Sequence, residues 1–320
     1  MDFVAQTLSL PEQLRWAAGI ELPPLDPASA VLVAGMGGSG ISGDFAAVLA
    51  EAEGRRLHVT KGYRLPRWAI EEKPLVVAVS YSGNTEETLT VAREALDAGL
   101  VVVGISSGGE LAQLPLAAHI TVPGGNQPRA SLGYLLGPLT GVLVAAGVLS
   151  DPGLEEATAV VEAVHDRGAP MSLVEGMQGR IPIVWAGSPL TAPVAQRWKT
   201  QINENAKAPA WWSVLPEADH NEIVGWETLS GLTSEHLVVV PLRDTADHPR
   251  VGLRFEHTRR LTAPFVAWTD EVWTEGNGNL ARLLGLAAVA DLVTLELAGR
   301  YEVDPESVAL IEDLKALLKG

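Results

Sequence analysis

The chain has 320 residues, 47% of them hydrophobic, with 23 Lys and Arg against 39 Asp and Glu, a formal net charge of −16, and no cysteine. That length allows two domains of ordinary size, while the acidic balance and the lack of any basic run exclude nucleic acid and anionic membrane as expected partners. Without cysteine there are no disulfides and no thiolate metal sites, which fits a reducing, cytoplasmic setting.

At the N-terminus, MDFVAQTLSLPEQLRW has an early acid and no basic segment ahead of an apolar block, so no secretory signal is expected. Short apolar runs then alternate with longer segments of helical period, the grammar of parallel βαβ units in an α/β fold. Strands are predicted at 31–34, 57–60, 75–80, 100–105 and 119–122, with helices at 39–51, 85–98 and 130–149. Residues 131–150 are uncharged and long enough to span a bilayer. Gly133, Gly137, Gly141, Gly147 and Pro138, moderate hydrophobicity and the lack of a second such segment make this stretch a buried helix instead.

In the second half, strands are predicted at 183–186, 237–241 and 265–268 and helices at 191–207, 250–261 and 280–301. The strand ends VLVAG (31–35) and IVWAG (183–187) occupy equivalent places and point to an internal duplication, yet only the first runs into a glycine-rich turn. Asp151-Pro152-Gly153 breaks the helical pattern, so the expected domains are 1–152 and 153–320. A last helix over 306–319 gathers Val308, Leu310, Ile311, Leu314, Leu317 and Leu318 on one face and is expected to pack on the body of the protein.

Two loops carry chemistry. Gly35-Met36-Gly37-Gly38-Ser39-Gly40 follows an apolar strand and opens a helix, where free N–H groups and the helix dipole favour an oxyanion. A dinucleotide site uses the same physics, but no acidic residue closes the next strand at 57–60 to hold a ribose. Ser80-Tyr81-Ser82-Gly83-Asn84-Thr85 sets three hydroxyls around a second helix N-terminus, a donor set suited to the terminal oxygens of a phosphate monoester. Helix capping would explain one hydroxyl and not three. Neither loop contains a basic residue, and the lysine of a P-loop is absent. The candidate phosphate-binding residues are therefore Gly37, Gly38, Ser39, Ser80, Ser82 and Thr85.

GMGGSG, SYSGNTEET and ISSGG (105–109) together resemble the sugar isomerase (SIS) domain, a flavodoxin-like fold that binds phosphosugars. Pro128-Arg129-Ala130-Ser131, Asn203-Glu204-Asn205-Ala206-Lys207 and Glu217-Ala218-Asp219-His220-Asn221 narrow the resemblance to the bifunctional phosphoglucose/phosphomannose isomerases, over essentially the whole chain. The resemblance implies two flavodoxin-like SIS domains, each a parallel sheet flanked by helices, plus a C-terminal helix. It implies a homodimer that interconverts glucose 6-phosphate and fructose 6-phosphate through a cis-enediol, with no cofactor and no metal. In that scheme Glu204 is the base that shuttles the proton between C2 and C1, a task suited to a carboxylate. His220, contributed by the neighbouring subunit, opens the ring, and an imidazole exchanges its proton near neutral pH. Arg129 stabilises the enediolate with a fixed positive charge, and Lys315 reaches the sugar ring, with Lys319 one helical turn further on as the competing assignment.

Each residue also has a plainer reading: a solvated glutamate at a helix end, an exposed histidine, a surface arginine at a helix start. For Arg129 that start is mildly unfavourable to a cation, so a specific partner is expected. The nine tryptophans, Trp211, Trp212 and Trp226 among them, are assigned to core and dimer-interface packing. In the family a threonine seven residues before the C-terminal lysine is associated with the mannose epimer. This chain has Val308 there, so mannose 6-phosphate is expected to be the weaker substrate. The alternative function is a non-catalytic phosphosugar sensor, which would need the phosphate loops without the NENAK and EADHN segments. An amidotransferase isomerase half would need a separate glutaminase domain and its cysteine.

Overall fold

The computed structural model describes residues 2–318. Contacts divide the chain into two compact units, Met1–Ala163 with Glu275–Gly285, and Val164–Thr274 with Leu286–Gly320. The division falls later than the expected 152/153 boundary, because α7 (below) starts in one unit and ends in the other and because 275–285 return to the first.

The first unit opens with α1 (Phe3–Leu8), whose first turn is capped by Asp2 accepting from the Ala5 N–H at 2.8 Å, and α2 (Leu10–Ala18). The sheet elements follow: β1 (Ala30–Ala34), α3 (Gly37–Ala52), β2 (Arg56–Thr60), α4 (Arg67–Glu72), β3 (Leu75–Val79), α5 (Glu86–Asp97), β4 (Val102–Ser106) and β5 (Ala118–Thr121). Their order in space is β2-β1-β3-β4-β5, all parallel. The central strands β1, β3 and β4 are buried at every position, as expected of parallel strands covered on both faces, while the edge strands β2 and β5 keep exposed residues.

α6 (Leu132–Ala145) is the buried helix expected near 130–149, entered through a 3-10 turn, Pro128–Ala130. Its glycines recur every fourth residue, and each marks a close approach: a Cβ at Gly137 would lie 2.2 Å from Ala17 Cβ, and one at Gly133 2.7 Å from Gln13 Cβ. The stripe that argued against a membrane span is thus the groove that takes α2. Among the described residues no helix is long and apolar enough to cross a membrane.

α7 (Leu154–Arg167) leads to the second unit, which holds α8 (Met171–Met177), β6 (Ile181–Ala186), α9 (Thr191–Asn205), β7 (Trp211–Val214), α10 (Ser230–His236), β8 (Leu237–Arg243), α11 (Pro249–Thr262), β9 (Trp268–Thr269) and β10 (Val272–Trp273). Its parallel strands run β10-β8-β6-β7, with β9 and β10 lying in succession along β8. Counted from β6, the first three strands take the same 2-1-3 order as in the first sheet. The strand expected at 265–268 is displaced: Ala263–Phe265 form a 3-10 turn, with Pro264 inside it, and pairing begins at Trp268.

α12 (Asn279–Arg300) and α13 (Ala309–Leu317) complete the chain. The last helix does not pack on the body as expected. None of its residues is buried; Leu310 is 85% exposed and Leu314 56%, so the apolar face read from the sequence is real and uncovered. Trp226, Trp185 and Trp198 are buried as core residues, whereas Trp211 and Trp212 stand exposed on the edge strand β7.

Candidate active site

In the first unit the loops after β1 and β3 leave the carboxyl ends of adjacent strands at the place where the strand order reverses, the usual position of a ligand crevice in an open parallel sheet. Gly37 has φ +52 and begins α3. Gly38 lies against the 128–129 backbone, where a Cβ would come 2.9 Å from the Pro128 carbonyl oxygen. Ser39 is buried, and its Oγ accepts from the Tyr81 N–H at 3.3 Å, tying the first loop to the second.

Within the second loop, Ser80 Oγ and Thr85 Oγ1 share a hydrogen bond of 2.8 Å, and Ser82 Oγ accepts from the Asn84 N–H at 3.2 Å. Thr85 is the N-cap of α5 but its side chain makes no capping bond, so capping does not account for its hydroxyl. Residues 106–110 clasp this loop from behind. Ser107 donates both its N–H and its Oγ–H to the Tyr81 carbonyl at 2.8 Å, and the Glu110 N–H donates to Asn84 Oδ1 at 2.9 Å. Gly83 allows the clasp: at φ +71, a Cβ would fall 1.8 Å from the Gly108 carbonyl oxygen. Behind Gly108, Ser106 Oγ donates to its carbonyl at 2.7 Å and bonds His119 Nε2 at 2.7 Å; burial pushes the His119 imidazole below its ordinary pKa.

Arg129 is brought to the same strand ends. It is 5% exposed, with its guanidinium carbon 4.4 Å from the centroid of the Phe3 ring. Two glutamines hold its segment. Gln6 Oε1 accepts from the Gln127 N–H at 2.7 Å, and Gln13 donates to the Ala130 carbonyl at 2.7 Å while accepting from the Gly133 N–H at 3.0 Å. The specific partner expected of Arg129 therefore includes an aromatic face from α1, a helix that the sequence reading did not assign. The composition of α1 gives no period to find it by; Gln6 and Gln13, buried amides, are the retrospective signal.

The second unit carries the other candidates. Glu204 lies half-buried in the last turn of α9, where its carbonyl accepts from Lys207 Nζ and where Asn203 donates to the Ala208 carbonyl at 2.8 Å. His220 is exposed at the end of the 3-10 turn Glu217–His220; the neighbouring Asp219 anchors that turn to Arg254 at 3.0 Å and to Thr258 at 2.7 Å. Lys315 is exposed on α13, and Lys319 lies outside the described residues. The IVWAG turn closes on itself: the Gly187 and Ser188 N–H groups both donate to Thr191 Oγ1, at 3.0 and 3.1 Å, and a Cβ on Gly187 would meet Phe255 at 2.3 Å. At this turn, the counterpart of the glycine-rich turn after β1, the Gly187 and Ser188 amides are internally satisfied.

A cavity of about 560 Å³ in the first unit is not at this chemistry. It is lined by Ala30 and Val31 at the start of β1 and by Arg56 and Leu57 at the start of β2, the opposite strand ends from the loops.

Residues 168–318 match the family model described as the bacterial phospho-glucose isomerase C-terminal SIS domain. The chain is 37% identical over 300 residues to the bifunctional phosphoglucose/phosphomannose isomerase of Aquifex aeolicus, covering 92% of each chain. It is 34% identical over 330 residues to the protein of the same name from Caldicellulosiruptor bescii, covering 96% of each. Among solved structures, the C-terminal domain of glucosamine-fructose-6-phosphate aminotransferase from Francisella tularensis superposes with a TM-score of 0.75 at 13% identity, over 96% of this chain and 98% of that one; this likeness concerns the fold alone.

Proposed function

The chain belongs to the bifunctional phosphoglucose/phosphomannose isomerase family, and from that premise we propose that it is an aldose–ketose isomerase interconverting glucose 6-phosphate and fructose 6-phosphate, with mannose 6-phosphate as the weaker aldose. The observation that carries the reading is the clasped pair of loops at the strand-order reversal, which gathers Gly37, Gly38, Ser39, Ser80, Ser82 and Thr85 beside buried Arg129. Helix amides and neutral hydroxyls would carry the phosphate there without a lysine.

With the phosphate held and the ring opened by His220, the Glu204 carboxylate takes the C2 proton; the C2–H electrons form the C1=C2 bond and the carbonyl oxygen gains charge. Returning that proton to C1, with proton transfer from O2 to O1, gives the ketose. A fixed guanidinium at Arg129 lowers the energy of the charged enediolate, while Lys315 reaches the sugar ring. His220 acts from the neighbouring subunit of a cytoplasmic homodimer in this scheme, so inactive Glu204→Gln and His220→Ala chains, mixed under conditions of subunit exchange, should recover activity. No recovery would assign all functions to one chain.

A coupled assay with glucose 6-phosphate, mannose 6-phosphate and glucosamine 6-phosphate tests the function. Turnover of the first, with less of the second, is expected. Tight binding without turnover of any of the three would support the sensor instead.

A further inference from the structure

Helix α9 carries Glu204 in its last turn, and the helix is held by an unusual face. Arg197, Gln201 and Asn205 recur every fourth residue and are all buried, at 2%, 1% and 0% exposure, where a core-facing stripe is ordinarily apolar. All three bond α12 within the second unit. Arg197 Nη2 donates to both carboxylate oxygens of Asp291 at 3.0 Å, Gln201 donates to Asp291 Oδ1 at 2.5 Å, and Asn205 donates to Thr294 Oγ1 at 3.0 Å. The Trp198 indole adds a fifth bond, to the Leu286 carbonyl at 2.9 Å.

We propose that Asp291 is a positioning residue for the base: by holding Arg197 and Gln201 on one carboxylate, it fixes the rotational and axial register of α9 on α12, and that register aims Glu204. The inference rests on Glu204 being the base. Stability is a poor explanation for the ladder, because a buried ion pair can often be exchanged for well-packed apolar residues at no loss. Apolar faces slide and re-pack, whereas this ladder has one alignment. A slip of one residue turns a helical side chain by about 100°, and misplacement by about 1 Å can cost a reaction about a hundredfold.

The test compares Asp291→Asn with a triple apolar variant, Arg197→Met, Gln201→Leu and Asp291→Leu, on the full-length enzyme. Both should lose about ten- to a hundredfold in kcat, with KM for fructose 6-phosphate and competitive inhibition by inorganic phosphate changed less than about twofold. The triple variant should melt near wild type, which separates positioning from folding. Asp291→Asn added to Glu204→Gln should lower kcat no further. Wild-type kcat in the triple variant, or a rise in KM with kcat intact, would overturn the proposal. Glu204→Gln assayed alongside distinguishes the two layers: wild-type turnover there removes the base and this inference with it, whereas an inactive Glu204→Gln beside a fully active triple variant overturns this inference alone.

Discussion

At the scale of single residues, Gly83 is under the strictest demand in the clasped pair of loops. Any side chain there meets both a left-handed backbone and the Gly108 carbonyl 1.8 Å from its Cβ. Gly83→Ala must therefore open the clasp of 106–110 on 80–85. We expect KM for glucose 6-phosphate to rise more than about tenfold and stability to fall by about 1–3 kcal/mol; unchanged KM and an unchanged urea midpoint would show that the clasp is dispensable. Glu204→Gln keeps shape and removes the proposed base, so kcat should fall by about two to four orders of magnitude with phosphate inhibition intact. Retained turnover would reject Glu204. Val308 stands at the N-cap of α13 without a side-chain capping bond. Val308→Thr supplies a hydroxyl at that position, and a missing hydrogen bond of this kind is worth about 1–3 kcal/mol. The variant should raise kcat/KM for mannose 6-phosphate relative to glucose 6-phosphate by about tenfold; equal wild-type values for the two epimers would dispose of the idea.

At the scale of elements, strands buried on both faces were legible because AVLVA and LVVAV are short, Val-rich apolar runs, too short for a helix and typical of a covered parallel strand. The short elements of the second unit were not. β7 reads WWSV with both tryptophans exposed, a pattern set by its neighbour β6 rather than by its own alternation. For α13 the period revealed an apolar face but not its burial, since periodicity says which residues share a side and not what meets them. Leu314→Ser should accordingly leave the melting of the isolated chain within about 0.5 kcal/mol of wild type, as an exposed substitution does, and a larger loss in dilute monomer would contradict its exposure.

The start of α12 is secured differently. Glu156 accepts from the Asn277 and Gly278 N–H groups at 2.6 and 3.0 Å, and these bonds, ahead of any charge, hold its carboxyl below the ordinary glutamate value. A depressed folded-state pKa gives stability that is complete above the unfolded value and lost as pH falls through the folded one. Half-buried Asp44 is shifted upward, chiefly by desolvation, and has the opposite slope. The prediction is that Glu156→Gln flattens the acid limb of a Tm-against-pH curve and lowers Tm at neutral pH; an acid limb as steep as wild type would remove Glu156 from the account.

At the scale of the whole molecule, two halves of similar strand–helix grammar and one glycine- and hydroxyl-rich pair of loops were visible in the sequence, because glycine-rich turns and hydroxyl clusters are local. The Arg197–Asp291 ladder was not, since its members lie 94 positions apart and look like ordinary surface residues in a string. Nor was the path of the chain. It passes from the first unit to the second, back for Glu275–Gly285, and out again, so α12 begins in one and ends in the other. A tandem pair joined by one linker can be cut in two at the linker and each piece kept. Here a gene split after residue 152 leaves the first product without α7 and without the stretch that Glu156 grips. Such a fragment should express poorly or melt below the intact protein, while the whole chain unfolds in one calorimetric transition. For anyone permuting or dividing this protein, the usable break lies not between its halves but at a surface turn inside one of them.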